Sequence, residues 1–342
     1  MPAAPAAAVL DSSVMPTFCR HNRFIERCPI CSRELEPAES PAPAGGARRA
    51  RGPSASSRVK QTGTGQRLRV RRETRSEDDG YRSPLIAGLR SSKDALRLAE
   101  EIALAAGRLR TLADDPPGAY AEIVTQPDPE QASWMCFLLV YISPLQAEDP
   151  FAGIRVAFDQ AGDWNSGSLP ALDEIPLGPR TSHESSRGTQ TLEAYRRWAT
   201  QASSQAAAFS GEATWSPQRR FERVFERLAF PGFARGGRFD LLLTLGALGI
   251  YELAADSLHL GGAHGRSSED LTSTAAKRIF AIGDPLNLER RAGALAEALE
   301  VPLGALDLAF YNWSASQRAT LGVTEDSSDA DVLERAHTAL GL

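Results

Sequence analysis

The chain has 342 residues, a length typical of one large domain or two medium ones. Hydrophobic residues make up 42% and charged residues 24%, so the composition allows a substantial core. The sequence has no apolar run of about 18 residues, which excludes a membrane-spanning helix, and its N-terminus lacks the regions of a signal peptide. Four cysteines are too few for a disulfide scaffold. We therefore expect a reduced, cytoplasmic protein.

The net charge of −5 is distributed unevenly. Residues 44–75 carry ten basic side chains and one acidic side chain, and residues 76–342 carry −13. A basic segment attached to an acidic body is typical of a protein that contacts a polyanion such as DNA. The alternative is a solvated linker in a chain that uses 35 Arg and 3 Lys.

Composition divides the chain into four parts. Residues 1–15 are an Ala/Pro segment that we predict to be disordered. Residues 16–34 form a compact Cys/His module, and residues 35–80 are a basic linker rich in Pro, Ala, Gly, Ser and Arg, also predicted to be disordered. Residues 81–342 carry apolar side chains three and four positions apart, a helical period. The pattern predicts an all-α domain with an irregular segment near 160–188.

The first helix of this domain is predicted to follow Ser92, which would act as its N-cap. Further apolar helices are predicted in QASWMCFLLVYIS, TLEAYRRWATQASSQAAAF and GRFDLLLTLGALGIYELAA. Strand-like alternation is nearly absent.

The Cys/His module has the spacing C-x-H-x6-C-x2-C. A structural zinc ion needs four protein ligands in a tetrahedron, and this short module is too small to bury a core without a metal. The predicted zinc ligands are Cys19, His21, Cys28 and Cys31. The alternative is four unrelated reduced residues. Arg20 and Arg23 lie between the ligands, where they suit phosphate contact or a solvated face.

Five segments resemble one bacterial family. FCRHNRFIERCPICS, SPLQAEDPF, LGPRT, SQAAAF and RFDLLLTLGALGIYEL are similar to the alpha-glutamyl/putrescinyl thymine pyrophosphorylase-like proteins. The resemblance implies a connection with hypermodified bases in phage DNA. It also implies a relation to phage-restricting DNA glycosylases that excise glucosylated hydroxymethylcytosine.

A more distant resemblance covers about residues 130–315. IFAIGDPLNLERRAGALAEALEVPLGALDLAFYNW looks like a helix-hairpin-helix followed by a helix with a buried Asp, and VYISPLQAEDPF is similar to an early helix of the helix-hairpin-helix DNA glycosylases. This resemblance implies a helix-hairpin-helix glycosylase-like domain that flips a base out of double-stranded DNA. Bifunctional members carry a lysine just after the hairpin. Here Asp284-Pro285 follows Gly283, which implies a monofunctional enzyme.

Asp307 is the first candidate catalytic residue, because it lies on the apolar face of its helix. A buried carboxylate there can stabilise the cationic sugar formed when an N-glycosidic bond breaks. The alternative is a structural Asp at a helix N-cap or paired with Arg290 or Arg291. Lys277 is a second candidate, as an amine nucleophile or as an ordinary surface lysine.

Two further residues are candidates for DNA contact. Gly283 precedes a helix whose free amides can bind a phosphate, although Asp284 and Pro285 also read as an ordinary helix start. Gln146 can fill the space left by a flipped base, or it can be a plain polar residue at a helix end.

Three functions are compatible with the sequence. The first is a DNA glycosylase that excises a hypermodified pyrimidine, such as a glucosylated hydroxymethyl base, from phage DNA in antiviral defence, with zinc as a structural cofactor. The second is a base-hypermodification transferase or pyrophosphorylase on phage-type DNA. The third is a non-catalytic zinc-dependent DNA-binding protein. None of them implies a membrane or a protein partner.

Overall fold

The computed structural model of the chain describes residues 76–261, 270–323 and 327–342. Within these ranges there are α-helices and short 3-10 turns and no β-strand, so the all-α prediction is confirmed for the described part of the chain. The helices are α1 (Ser92–Asp114), α2 (Ala119–Val124), α3 (Pro129–Ile142), α4 (Ala152–Ala161), α5 (Gln190–Gln201), α6 (Gln205–Ser210), α7 (Pro217–Arg227), α8 (Arg235–Ala247), α9 (Leu271–Phe280), α10 (Pro285–Leu299), α11 (Leu303–Ser314) and α12 (Ala330–Leu340). None of them is both long enough and apolar enough to cross a membrane.

Three helices begin with a capping side chain followed by a proline. Asp128, Ser216 and Asp284 each cap a helix by accepting a hydrogen bond from a backbone N–H of its first turn, and a proline follows each cap. Proline suits the first helical position because its φ is already helical and its missing N–H would have no intrahelical partner there. These cap–proline pairs fix the starts of α3, α7 and α10.

The sequence misplaced two helix boundaries. Ser91, not Ser92, is the N-cap of α1, and the carboxylate of Asp79 accepts hydrogen bonds from the backbone and hydroxyl of Ser92. The segment predicted as one helix through residues 191–209 is two helices, α5 and α6, because Ser203 adopts a positive φ of 78° between them. Ser204 then caps α6.

The helices pack in two groups. In the first, α1 packs against α11 and α12, while α9 and α10 pack against α11. In the second, α3 packs against α2, α4, α6 and α8. α8 also contacts α1, which joins the two groups. The irregular segment predicted near residues 160–188 is confirmed, since only short 3-10 turns interrupt its coil between α4 and α5.

Candidate functional site

An apolar cleft lies where the two helix groups meet. Its cavity volume is about 30 Å³, room for about two water molecules. It is lined by residues of α1, α2, α3, α8 and α11. The apolar lining residues are Leu109, Leu112, Tyr120, Leu139, Val140, Leu243, Leu308 and Leu321. Arg180 and Asp240 supply the charged groups, and Ser143 and Thr244 supply hydroxyls. A mostly apolar lining with a few polar groups is typical of a small-ligand site, but a ligand of more than a few atoms would have to widen this cleft.

The end of α3 forms one wall of this cleft. Ser143 follows the helix with φ 68° and ψ 140°, a backbone conformation that residues other than glycine rarely adopt. Gly178 packs directly against this corner, because a Cβ at position 178 would lie 2.2 Å from the carbonyl oxygen of Pro144 and 2.4 Å from that of Ser143. The close approach brings the segment that carries Arg180 against α3.

Hydrogen bonds on both sides of Arg180 hold this segment in place. The backbone N–H of Gly178 donates to the carbonyl oxygen of Ile142 at 3.0 Å. The carbonyl oxygen of Tyr141 accepts from the hydroxyl of Thr181 at 2.8 Å and from the backbone of Ser182 at 3.0 Å. Arg180 is therefore fixed relative to the end of α3, although it lies in a coil.

Arg180 belongs to a chain of five alternating charges. Its Nε and Nη2 donate to Asp240 at 2.6 and 2.8 Å, and the same Nη2 donates to Asp307. The other oxygen of Asp307 accepts from Nη1 of Arg235 at 2.8 Å, and Nε of Arg235 donates to Asp270 at 2.5 Å. The order is Asp240–Arg180–Asp307–Arg235–Asp270, and three carboxylates against two guanidinium groups give a formal charge of −1.

The middle of this charge chain is enclosed and its two ends are accessible. The side chain of Asp307 is 1% exposed, whereas those of Asp240 and Asp270 are 19% and 17% exposed. Burial lowers the pKa of Arg180 and Arg235 less than their aspartate partners raise it, so both pKa values lie above the ordinary value and both groups stay charged. Asp240 is thus the accessible carboxylate on the cleft side.

The two accessible carboxylates differ in acidity. Burial raises the pKa of Asp240, and its pairing with Arg180 offsets this effect only in part. Burial also acts on Asp270, but the charge of Arg235 and hydrogen bonds from Arg235 and Ser273 outweigh it, so the pKa of Asp270 is lowered. Asp240 is therefore the better proton acceptor of the two.

Arg180 has hydrogen-bonding capacity left over. Its guanidinium group lies over the ring of Tyr311, 4.7 Å from the ring centre. In the described part of the chain, its buried Nη1 has no hydrogen-bond partner. Because an unpaired buried donor is costly and Arg180 lines the cleft, a ligand that accepts a hydrogen bond there would satisfy it.

The structure brings one predicted site residue into this network. Asp307 is buried as expected, but its partners are Arg180 and Arg235 rather than Arg290 or Arg291. Arg235 was not expected at all, and Arg180 lies in the LGPRT segment on which the family resemblance rests. Asp240 lies in RFDLLLTLGALGIYEL, another of the segments on which the family resemblance rests.

The other predicted residues in the described ranges lie on the surface. Lys277 is exposed in the last turn of α9, and Gln146 is exposed in the turn closed by the hydrogen bond from Leu145 to Pro150. Gly283 is exposed just before α10. These three residues do not line the cleft, and their roles in chemistry and DNA contact stay predictions.

The predicted zinc module lies outside the described residues. This applies to Cys19, His21, Cys28 and Cys31, and also to Arg20 and Arg23. Zinc binding and phosphate contact by this module therefore stay predictions. Within residues 76–261, 270–323 and 327–342, no group of His, Cys, Asp and Glu side chains is arranged to hold a metal ion.

In the described residues, the fold is all-helical and a buried arginine–aspartate chain contributes Arg180 and Asp240 to the lining of a small apolar cleft. Residues 178–320 match the family model described as alpha-glutamyl/putrescinyl thymine pyrophosphorylase clade 3. The match confirms the resemblance to this family over that segment, which is less than half of the chain. No curated protein and no solved structure matches the chain, and the relation to helix-hairpin-helix glycosylases stays a prediction.

Proposed function

We propose that the chain is an enzyme that modifies a base in DNA, and that the cleft beside Arg180 and Asp240 holds the reacting group. One observation carries the proposal. The segment that matches the pyrophosphorylase family, residues 178–320, contains all five members of the charge chain, including the two that line the cleft. The similarity and the candidate chemistry therefore fall on the same part of the molecule.

The family description names a thymine, an alpha-glutamyl or putrescinyl group, and a pyrophosphorylase activity. We propose the corresponding reaction for this chain, in which an amine and a diphosphate exchange at an exocyclic carbon of a modified pyrimidine. In the amine-adding direction a carbon–nitrogen bond forms, the carbon–oxygen bond to the diphosphate breaks, and the diphosphate leaves with the bonding electron pair. The attacking nitrogen loses one proton.

Asp240 is suited to accept that proton. It lies at the cleft end of the charge chain and is partly exposed. Its pKa is raised towards neutral pH, which makes it a stronger base than an ordinary aspartate. Arg180 holds this carboxylate in a two-point fork and keeps one further N–H for the ligand. Asp307 does not face the ligand in this scheme, because both of its oxygens are paired inside the protein.

A DNA glycosylase is the second candidate. The observation that favours it is a carboxylate in the lining of an apolar cleft, since such a group can also stabilise the cationic sugar of base excision. Asp307 is enclosed, so Asp240 would be the carboxylate near the sugar and Asp307 would act through Arg180. Double-stranded DNA is the proposed partner in both cases, with the predicted zinc module and basic segment as additional contacts.

Product analysis separates these functions. Duplex oligonucleotides are incubated with the full chain. One carries a diphosphate on the exocyclic carbon of a pyrimidine and is supplied with an amine, and the other carries an amine there and is supplied with diphosphate. The products are digested to nucleosides, whose masses are measured by mass spectrometry. Base modification predicts a nucleoside of changed mass. Excision predicts a free base and an alkali-labile abasic site. DNA that is bound and chemically unchanged would overturn both proposals and leave the non-catalytic reading.

A further inference from the structure

The two ends of the charge chain are compensated to different extents. Asp270 accepts hydrogen bonds from Arg235 and also from the hydroxyl and backbone N–H of Ser273, at 2.5 and 3.3 Å. In the described part of the structure, Asp240 accepts hydrogen bonds from Arg180 alone. The carboxylate that faces the cleft is therefore the less stabilised of the two.

Arg180 itself is shared. Its Nη2 donates to one oxygen of Asp240 at 2.8 Å and to one oxygen of Asp307. Asp307 has a second partner in Arg235 and is almost fully enclosed. Asp240 thus competes for one guanidinium group with a buried carboxylate that does not itself reach the cleft.

We infer that Asp307 is a positioning residue that keeps Asp240 the proton acceptor of the cleft. It does so because it shares the guanidinium group of Arg180, which would otherwise pair with Asp240 alone. This inference rests on the proposed function. When the Asp307 charge is removed, Arg180 pairs with Asp240 alone, and Asp240 becomes a weaker base. The enclosed aspartate predicted from the sequence as the catalytic group acts through Arg180 and does not contact the substrate.

The neighbours of Asp240 support this assignment. The pKa of Asp240 is raised first by burial and is lowered by Arg180, while the Asp307 charge raises it again. Arg180 comes from the coil at 178–183, Asp307 and Tyr311 from α11, and Tyr120 from α2; Arg235 is on the same helix as Asp240. Burial raises the pKa of both tyrosines, so they stay neutral in acid. The cleft residues contributed by α1 and α3 are all apolar.

A carboxylate titration tests the inference without requiring activity. The side-chain carboxyl carbons of the full chain are followed by ¹³C NMR against pH, with Asp240→Asn and Asp270→Asn used to assign the two signals. In the unmodified chain, Asp240 should titrate above the ordinary aspartate value of about 3.9, and Asp270 below it. An Asp240 that titrates at or below that value would overturn the inference, even if no Asp307 variant folds.

Two variants of Asp307 then isolate its role. Asp307→Asn should move the Asp240 midpoint to lower pH, while Asp270 stays below the ordinary value. Asp307→Glu keeps the charge and should return the Asp240 midpoint towards that of the unmodified chain. An Asp240 midpoint that is the same in Asp307→Asn and the unmodified chain would overturn the inference.

Activity gives an independent reading. In Asp307→Asn, the acidic limb of the kcat/KM profile should shift to lower pH together with the Asp240 midpoint. A chain that modifies no base would overturn the proposed function and leave the titration result standing. If the enzyme is active and the acidic limb of its kcat/KM profile lies at the same pH in Asp307→Asn and in the unmodified chain, the inference is overturned and the proposed function stands.

Discussion

Asp307 is enclosed by protein, and both of its oxygens are bound by arginines. The sequence predicts this burial, because Asp307 lies among apolar residues such as Leu306 and Phe310 on its helix. The structure has both of these neighbours fully buried. It does not predict the partners, because Arg180 and Arg235 lie 127 and 72 residues away in the chain. Only tertiary packing brings these charges together.

The buried pairs of Asp307 predict a large loss of stability on neutralisation. Asp307→Asn removes the negative charge between two buried guanidinium groups, and breaking a buried pair in this way costs about 3–5 kcal/mol. Urea denaturation of the variant and of the unmodified chain measures the difference. The matched control is Asp149→Asn, which breaks the exposed pair with Arg155 and should cost at most about 1 kcal/mol. Equal effects of the two substitutions would contradict the network.

Asp270 predicts a pH dependence of stability. Its pKa is lower in the folded chain than the ordinary value, so the folded state favours the charged form. The stabilisation is therefore complete above the unfolded pKa of about 3.9 and is lost as the pH falls through the folded value. The difference in unfolding free energy between the unmodified chain and Asp270→Asn should be largest near neutral pH and shrink in acid. A difference that grows in acid would contradict this sign.

The coil at residues 178–183 is the element on which the site depends. No periodic pattern marks it in the sequence, and the LGPRT segment stands out only through its resemblance to the family. Its position follows from Gly178, which packs against the carbonyl oxygens at the end of α3. The helices, in contrast, follow from local spacing and caps, so their existence was predictable and their mutual packing was not.

Gly178→Ala tests the role of this packing. The added methyl group would lie 2.2 Å from the carbonyl oxygen of Pro144, so the coil must move away from α3 and carry Arg180 with it. Base modification should fall by about 100-fold, the scale of a reacting group displaced by about 1 Å. The matched control is Gly293→Ala in α10, where a Cβ meets nothing within 4 Å and should raise helix stability by about 1 kcal/mol. Full activity of Gly178→Ala would contradict the assigned role.

At the scale of the whole molecule, charge divides the chain into a basic segment and an acidic body. The segment at 44–75 lies outside the described residues, so its contact with DNA stays a prediction from composition. Phosphate contacts release counterions, and the logarithm of affinity then falls with the logarithm of salt in proportion to their number. Deletion of residues 44–75 should therefore weaken binding to all duplexes alike and flatten the salt dependence. An unchanged salt slope, measured by fluorescence anisotropy, would contradict this role.

The central claim is that the cleft-facing pair of Arg180 and Asp240 performs base modification. The most direct test is nucleoside mass spectrometry after a single turnover, comparing Asp240→Asn with Asp331→Asn. The duplex carries a pyrimidine with a diphosphate on its exocyclic carbon, and an amine is the co-reactant. Asp331 is an exposed acid in the first turn of α12 and does not line the cleft. We predict that Asp331→Asn forms the modified nucleoside at the rate of the unmodified chain, whereas Asp240→Asn binds the duplex and reacts about 100-fold to 1,000-fold more slowly. Equal rates in the two variants would contradict the claim.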